Sequence, residues 1–451
     1  MLSVAPVDTR TFFDELRDRE FSRLDAQHHA YLDYAGSALY GDSQLRAHHE
    51  ILRDGIFGNP HSDSSPSRAS TEVMDSARRR LLRFLDVDES THDVIFTANT
   101  TAAIKLVAEA YPFSKERGCF LATDNHNSMN GIREYARRAG APIHYLPLDP
   151  DLRLLDAELL LAEASLHGEG LVAFPAQSNF SGVQHPLDLV TKAHALGFDV
   201  LLDVAAFIPG HALSLRRCPA DFAALSFYKL FGYPTGLGAL VARRDALSRL
   251  RRPWFAGGTV MYASVAADAH LLRPRHEGFE DGTPDFLAIA ALDAGFDLLD
   301  EVGMPRLTAH VSELARDFVC DLRALRHTNG APIVRIYGPR DRSECGGAVA
   351  FNICGRNGTP IPYTLVETRA RRANVSLRGG CFCNPGASEA AFALDPSRIA
   401  DCLAKLNTEF TPERFAECTN TAVGAIRASI GLANNAEDIH RAADVVASFA
   451  D

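Results

Sequence analysis

The stretch LSFYKLFGYPTGLGALVAR (225–243), with FDVLLDVAAF (198–207) before it, decides the fold. Each contains a short, nearly unbroken apolar run, the pattern of a strand buried on both faces. Working outward, DVIFTA (93–98), GCFLAT (118–123), APIHYLPL (141–148), GLVAFPA (170–176), FAALSFY (222–228) and LGALVAR (237–243) repeat the pattern. Amphipathic stretches lie between them, such as TTAAIKLVAEAY (100–111) and NSMNGIREYARRAG (127–140). This alternation predicts an α/β fold: a mostly parallel sheet with helices on both faces and right-handed crossovers.

Beyond about residue 284 the texture changes. Two long helical stretches, DFLAIAALDAGFDLLDEV and PRLTAHVSELARDFVCDLRAL, precede shorter strands, VRIYG and GGAVAFNICG. A helix near 362–373 follows, and a strand–helix pair, AIRASIGL and NAEDIHRAADVVASF, closes the chain. The expected division is a large domain over 29–295 and a small α+β domain over 296–451. The helix-like segment within 1–28 is assigned to the small domain.

Composition narrows the function. Of 451 residues, 46 are Lys or Arg and 57 Asp or Glu; a net charge of −11 argues against a nucleic-acid binder. Hydrophobic residues at 46% and charged ones at 23% exclude disorder. No apolar run reaches membrane-spanning length, and the N-terminus MLSVAPVDTRTFFDELRDRE lacks a signal-peptide core. Nine dispersed cysteines without a C-x-x-C pair predict no disulfide framework, no metal site and a cytoplasmic location.

Asp203 and Lys229 lie within or directly after apolar strands. Asp203 reads either as a cap at a strand end or as a carboxylate facing a buried cation. Lys229 reads as a turn lysine or as a buried amine. Together they suggest pyridoxal 5'-phosphate, whose aldehyde needs a lysine and whose ring nitrogen needs a carboxylate that keeps it protonated. In ANTTAA (98–103), Thr100 and Thr101 either cap a helix or cradle a phosphate, and the hydroxyl of Ser226 reaches the same place. His126 reads as a loop residue or as a ring stacked on the cofactor.

LRGGCFCNPGA (377–387) reads as a glycine-rich loop that is neither regular helix nor strand. A thiol there, beside Arg378, suits a nucleophile. In an extended C-x-C the side chains of Cys381 and Cys383 point opposite ways, so one does the chemistry. Arg427 suits either a clamp on a substrate carboxylate or a structural ion pair.

These blocks resemble the class V aminotransferase fold, and within it the cysteine desulfurases, nearest to the desulfurase-like part of molybdenum cofactor sulfurases. YLDYAGSAL (31–39), GNPHS (58–62), PAQSNFSGV (175–183), FAGGTV (255–260) and FEDGTPDFL (279–287) carry the resemblance along with the segments above. It implies a type I fold for pyridoxal 5'-phosphate enzymes. By resemblance, Lys229 holds the cofactor, Asp203 meets its ring nitrogen and His126 stacks on it. Thr100, Thr101 and Ser226 bind the phosphate, and Asn179 lies near the phenolic oxygen. Thr283 reaches the phosphate of a second subunit, which implies a homodimer with shared sites. Cys383, five residues after Arg378, matches the persulfide cysteine, and Arg378 and Arg427 lie on the substrate side. Ala206 stands where general desulfurases carry glutamine, and Tyr228 where they carry histidine; both changes resemble the molybdenum cofactor branch. That branch continues into a domain for the molybdenum cofactor, so sulfur delivery to that cofactor on one chain is not expected from these residues.

The expected reaction takes sulfur from L-cysteine, or a related thio amino acid, through a Cys383 persulfide, with His126 or Tyr228 as acid. A protein or small metabolite accepts the sulfur. The alternatives are a carbon–sulfur lyase or an aminotransferase on a cysteine conjugate, without a persulfide, and a non-catalytic scaffold on the same fold.

Overall fold

A computed structural model describes residues 9–421 and 423–450. The sequence reading of a missing signal core falls partly on residues 1–8, outside that range. Seven strands form the central sheet: β1 (His92–Thr97), β2 (Arg117–Ala122), β3 (Ile143–Leu146), β4 (Glu169–Pro175), β5 (Asp199–Asp203), β6 (Phe222–Ser226) and β7 (Gly238–Arg243). Their spatial order is β1-β7-β6-β5-β4-β2-β3, and only β7 runs antiparallel to its neighbours. The mostly parallel sheet expected from the apolar runs is present.

Side-chain alternation divides each strand between two cores. On β4, Val172 and Phe174 enter one core, while Leu171 and Ala173 enter the other with Ala103, Ile104 and Val107 of the helix Thr100–Ala110. Fully burying one such large apolar side chain contributes about 1.5–3 kcal/mol. Both faces are dry, so polar side chains collect at the carboxyl ends of the strands, where parallel α/β sheets build their sites.

A second sheet contains β8 (Val334–Ile336), β9 (Ala348–Ile353), β10 (Arg378–Gly380) and β11 (Ala425–Ser429), in the order β8-β9-β11-β10 and wholly antiparallel. The helix Thr9–Glu20 packs on the helix Met304–Ala324, where Phe13 stacks on His310 at 3.7 Å. Ala30–Tyr31 pairs with Val375–Ser376, and Asp33 bridges to Ser429. The N-terminal strand therefore pairs with the C-terminal half of the chain.

Two expectations are corrected. Arg378–Gly380 is a strand and not a loop: it pairs with β11, with Arg378 opposite Arg427. Gly379 fits there because a side chain would collide with the ring of Tyr363. Cysteine spacing predicted no disulfide, yet Cys402 and Cys418 are joined, with Cα atoms 5.9 Å apart. They lie on the helices Pro396–Leu406 and Pro412–Thr419, which a short turn folds together; a 16-residue separation does not reveal this without the turn. Among the described residues, no helix is long and apolar enough to cross a membrane.

Candidate active site

A cavity of about 300 Å³ opens at the carboxyl ends of β1, β2, β4, β5 and β6. That is within the range of small-molecule sites, about 300–1,000 Å³. Thr100, Thr101, His126, Asn179, Asp203, Ser226, Tyr228 and Lys229 line it. Ala206 lines it too, where a glutamine would fill part of the space.

Lys229 projects from the short helix Phe227–Phe231 that directly follows β6. It makes no hydrogen bond or ion pair with the described residues. Burial pushes its pKa below the ordinary lysine value; Asp203 opposes this and Arg427 adds to it. The amine lines a hollow, so it borders empty space while protein encloses it. An unpaired buried amine is costly. Its depressed pKa favours the neutral form, which is the nucleophile an aldehyde requires.

Asp203 ends β5, and its Oδ1 accepts the N–H of Ala205 at 3.0 Å. One carboxylate thus caps the turn that follows and lines the cavity. Its other oxygen takes no hydrogen bond from the described residues.

Hydroxyls gather at the start of the helix Thr100–Ala110. Asn99 caps this helix by accepting the N–H of Ala102 at 3.0 Å. Ser226 Oγ accepts the N–H of Thr100 at 2.8 Å and lies 2.6 Å from Thr100 Oγ1. The first-turn N–H groups of a helix have no intrahelical carbonyl to reach, which makes its start an anion site.

His126 follows β2. Its Nδ1 accepts the backbone N–H of Ser128 at 3.2 Å, so the neutral ring carries its proton on Nε2. Ser128 Oγ lies 2.9 Å from that Nδ1 and 2.7 Å from Thr101 Oγ1. The hydroxyl chain thus links the histidine to the anion end. Burial lowers the pKa of His126, and Lys229 lowers it further. Burial raises that of Tyr228. An amine, a carboxylate opposite, an oriented ring and a helix-start cradle fit the donor set that pyridoxal 5'-phosphate requires.

The other predicted residues lie outside this cavity. Cys383 is exposed and Cys381 half-buried. Cys383 nevertheless lies close enough for its charge to act on Lys229, as do Arg378 and Arg427. The C-x-C is not extended: Phe382 and Cys383 have φ of +56° and +55°. The opposed-side-chain argument therefore fails. Instead Phe382 is buried, 4.7 Å beneath the Arg427 guanidinium and 5.3 Å from the ring of Phe180, and anchors the loop.

Arg427 is buried. It donates to the carbonyl of Asn179 at 2.8 Å and to Asp33 Oδ1 at 3.1 Å, while its Nε has no partner. Arg378 Nε donates to the same Asp33 Oδ1 at 3.0 Å. Both arginines thus share one carboxylate. Thr283 does not line the cavity and accepts a hydrogen bond from Asn59 Nδ2 at 3.3 Å.

Sequence reasoning did not single out Asn99, Ser128, Asp33 or Gln177, the last of which also lines the cavity. Asp33 stands inside YLDYAGSAL, where a charge among apolar and aromatic residues was the available signal. Gln177 and Ser128 offered none. Gly386, just after the cysteines, packs directly on the carbonyl of Thr123, with no room for a Cβ.

The aminotransferase class-V family model matches residues 30–442. Molybdenum cofactor sulfurase 3 of Aedes aegypti is 36% identical over 447 residues, covering 94% of this chain and 56% of that protein. Molybdenum cofactor sulfurase of Arabidopsis thaliana is 34% identical, covering 97% of this chain and 58% of that protein. The chain thus spans a little over half the length of these relatives. A cysteine desulfurase from Thermococcus onnurineus NA1 superposes with a TM-score of 0.80 at 21% identity, covering 96% of this chain and 97% of that one. A C-DES mutant with glycine covalently linked to its PLP cofactor superposes at 0.71 with 18% identity, covering 95% and 98%.

Proposed function

The chain belongs to the aminotransferase class-V family, and on that premise we propose that it takes sulfur from L-cysteine or a related thio amino acid through a persulfide on Cys383. The observation that carries this is Lys229, a half-buried amine that makes no hydrogen bond or ion pair with the described residues, set in one cavity with the Asp203 carboxylate and within electrostatic reach of Cys383. The cofactor is pyridoxal 5'-phosphate, which when bound supplies an electron sink for carbanion chemistry at the substrate's α-carbon.

The chain's own residues then have these roles. Lys229 holds the cofactor and afterwards moves the α-proton as a neutral base. Asp203 keeps a positive charge opposite it. Thr100, Thr101 and Ser226, with the helix start, hold the phosphate, and His126 stacks on the ring with its Nε2–H available as a donor. Asn179 bears on the ring's oxygen side. Arg427 and Arg378 hold the substrate carboxylate, in exchange for or alongside Asp33. The Cys383 thiolate attacks the substrate sulfur; an S–S bond forms, the Cβ–S bond breaks, and its electron pair stays on carbon and takes a proton. The products are alanine and a persulfide, so no external oxidant or reductant is needed.

The large unit over 29–295 supplies the cofactor side and the smaller unit the sulfur loop. The reading includes a cytoplasmic homodimer, with Thr283 serving the neighbouring cavity and a protein or small metabolite as sulfur acceptor. A second reading, a carbon–sulfur lyase or aminotransferase without a persulfide, draws on one observation: neither Cys381 nor Cys383 lines the cavity. Mass spectrometry of the purified protein after L-cysteine decides. Alanine with one added sulfur on the Cys383 peptide supports the desulfurase; pyruvate, ammonia and an unmodified Cys383 support the lyase.

A further inference from the structure

Next to Cys383 stands Asn384, which is fully buried. Its Nδ2 donates to the backbone carbonyl of Asp124 at 2.6 Å and to Asn179 Oδ1 at 2.9 Å. Its Oδ1 accepts the N–H of Ala387 at 3.1 Å and so caps the helix Pro385–Ala391. One amide thus uses both donors and its acceptor. It joins three segments: the turn after β2 that carries His126, the turn after β4 that carries Asn179, and the sulfur loop itself.

Two more bonds cross the same junction. Asn179 Nδ2 donates to the carbonyl of Phe382 at 2.7 Å, and the N–H of Asn127 donates to that of Cys383 at 2.7 Å. The Asp124 side chain is fixed in turn, its Oδ2 lying 2.8 Å from Nε2 of His185, with both side chains fully buried. The loop needs such a junction. Two consecutive non-glycine residues in left-handed geometry cost on the order of 1–3 kcal/mol each and persist only where the surroundings hold them. The Cys383 side chain is itself exposed and contributes little packing.

We infer that Asn384 is the positioning residue that sets the Cys383 thiolate against the substrate sulfur. The inference rests on the persulfide reading above. Asn384 touches none of the reacting atoms; it acts through Asn179, whose Nδ2 holds the Phe382 carbonyl, and through the Asp124 carbonyl in the turn whose Asn127 N–H holds the Cys383 carbonyl.

Two variants test it. Asn384→Asp keeps the shape and the helix cap, but sets an oxygen against the two oxygens that Nδ2 now serves. Asn384→Ser keeps a cap and removes both ties without adding charge. The holoenzyme of either variant is expected to keep its visible cofactor absorbance and its KM for L-cysteine within about twofold. Single-turnover persulfide formation on Cys383, read by mass spectrometry, is expected to fall about 100-fold, the loss an ångström-scale misplacement brings. Alkylation of Cys383 by iodoacetamide without substrate should speed up as the loop opens.

Wild-type rates of persulfide formation in both variants overturn the inference. So does loss of cofactor or of folding in both, which makes Asn384 a residue of the whole scaffold. If the wild-type protein places no sulfur on Cys383, with Cys383→Ala as control, the persulfide reading is what fails.

Discussion

Lys229 lines the cavity, Cys383 lies outside it within electrostatic reach, and the two are held by different means. Lys229 sits three residues past the central strand β6, with Phe227, Leu230 and Phe231 beside it fully or nearly fully buried. Its position is inherited from the sheet, and its chemistry from the dry setting that lowers its pKa. Cys383, itself exposed, lies on a short turn between β10 and a seven-residue helix, in a backbone conformation that few residues adopt. Its position comes from a handful of hydrogen bonds to the ends of the other sheet. A group set by burial is hard to move without losing the site. One set by a few bonds can be displaced while the rest of the site survives.

The sharpest way to break this contrast is Lys229→Ala. Turnover should fall about 10⁴-fold or more, with the visible absorbance of the bound cofactor lost in the same spectrum. Next comes Asp203→Asn, expected to cost about 10²–10³-fold in kcat. Its sign is also testable by pH. Asp203 raises the pKa of Lys229, so its removal should move the acid limb of cofactor reloading by the apoprotein to lower pH. Unmoved, that limb would uncouple the two groups.

On the loop side, Gly386→Ala should cost about 1–3 kcal/mol by urea denaturation, since the added methyl meets the Thr123 carbonyl. Cofactor absorbance should persist while sulfur loading of Cys383 drops. Equal loss of both would erase the distinction. The smallest effect belongs to Cys381→Ala, where persulfide formation should stay within about a factor of two.

The sheet side was the more legible in sequence. Asp203 and Lys229 stood out because a charge beside an apolar strand needs a reason, and Thr100 and Ser226 because small polar residues at a strand–helix turn make an anion site. Each signal is local, and the sheet converts it into a place in space. The loop side was legible only as residue types. Arg378 reads as loop in the sequence, since its strand is defined by a partner nearly fifty residues later. The backbone of Phe382–Cys383 is set by Asn179, Asn127 and Asn384, none of which is close to both Phe382 and Lys229 in sequence. Asp33, shared by both arginines, lies more than 300 residues before either of them.

The bond between Cys402 and Cys418 closes the exposed turn over 407–411. A protease that nicks the chain in that turn would leave two fragments still fastened together. On a gel the cut protein would run at full size until a reductant is added, and β11, with Arg427, would stay in place after the break.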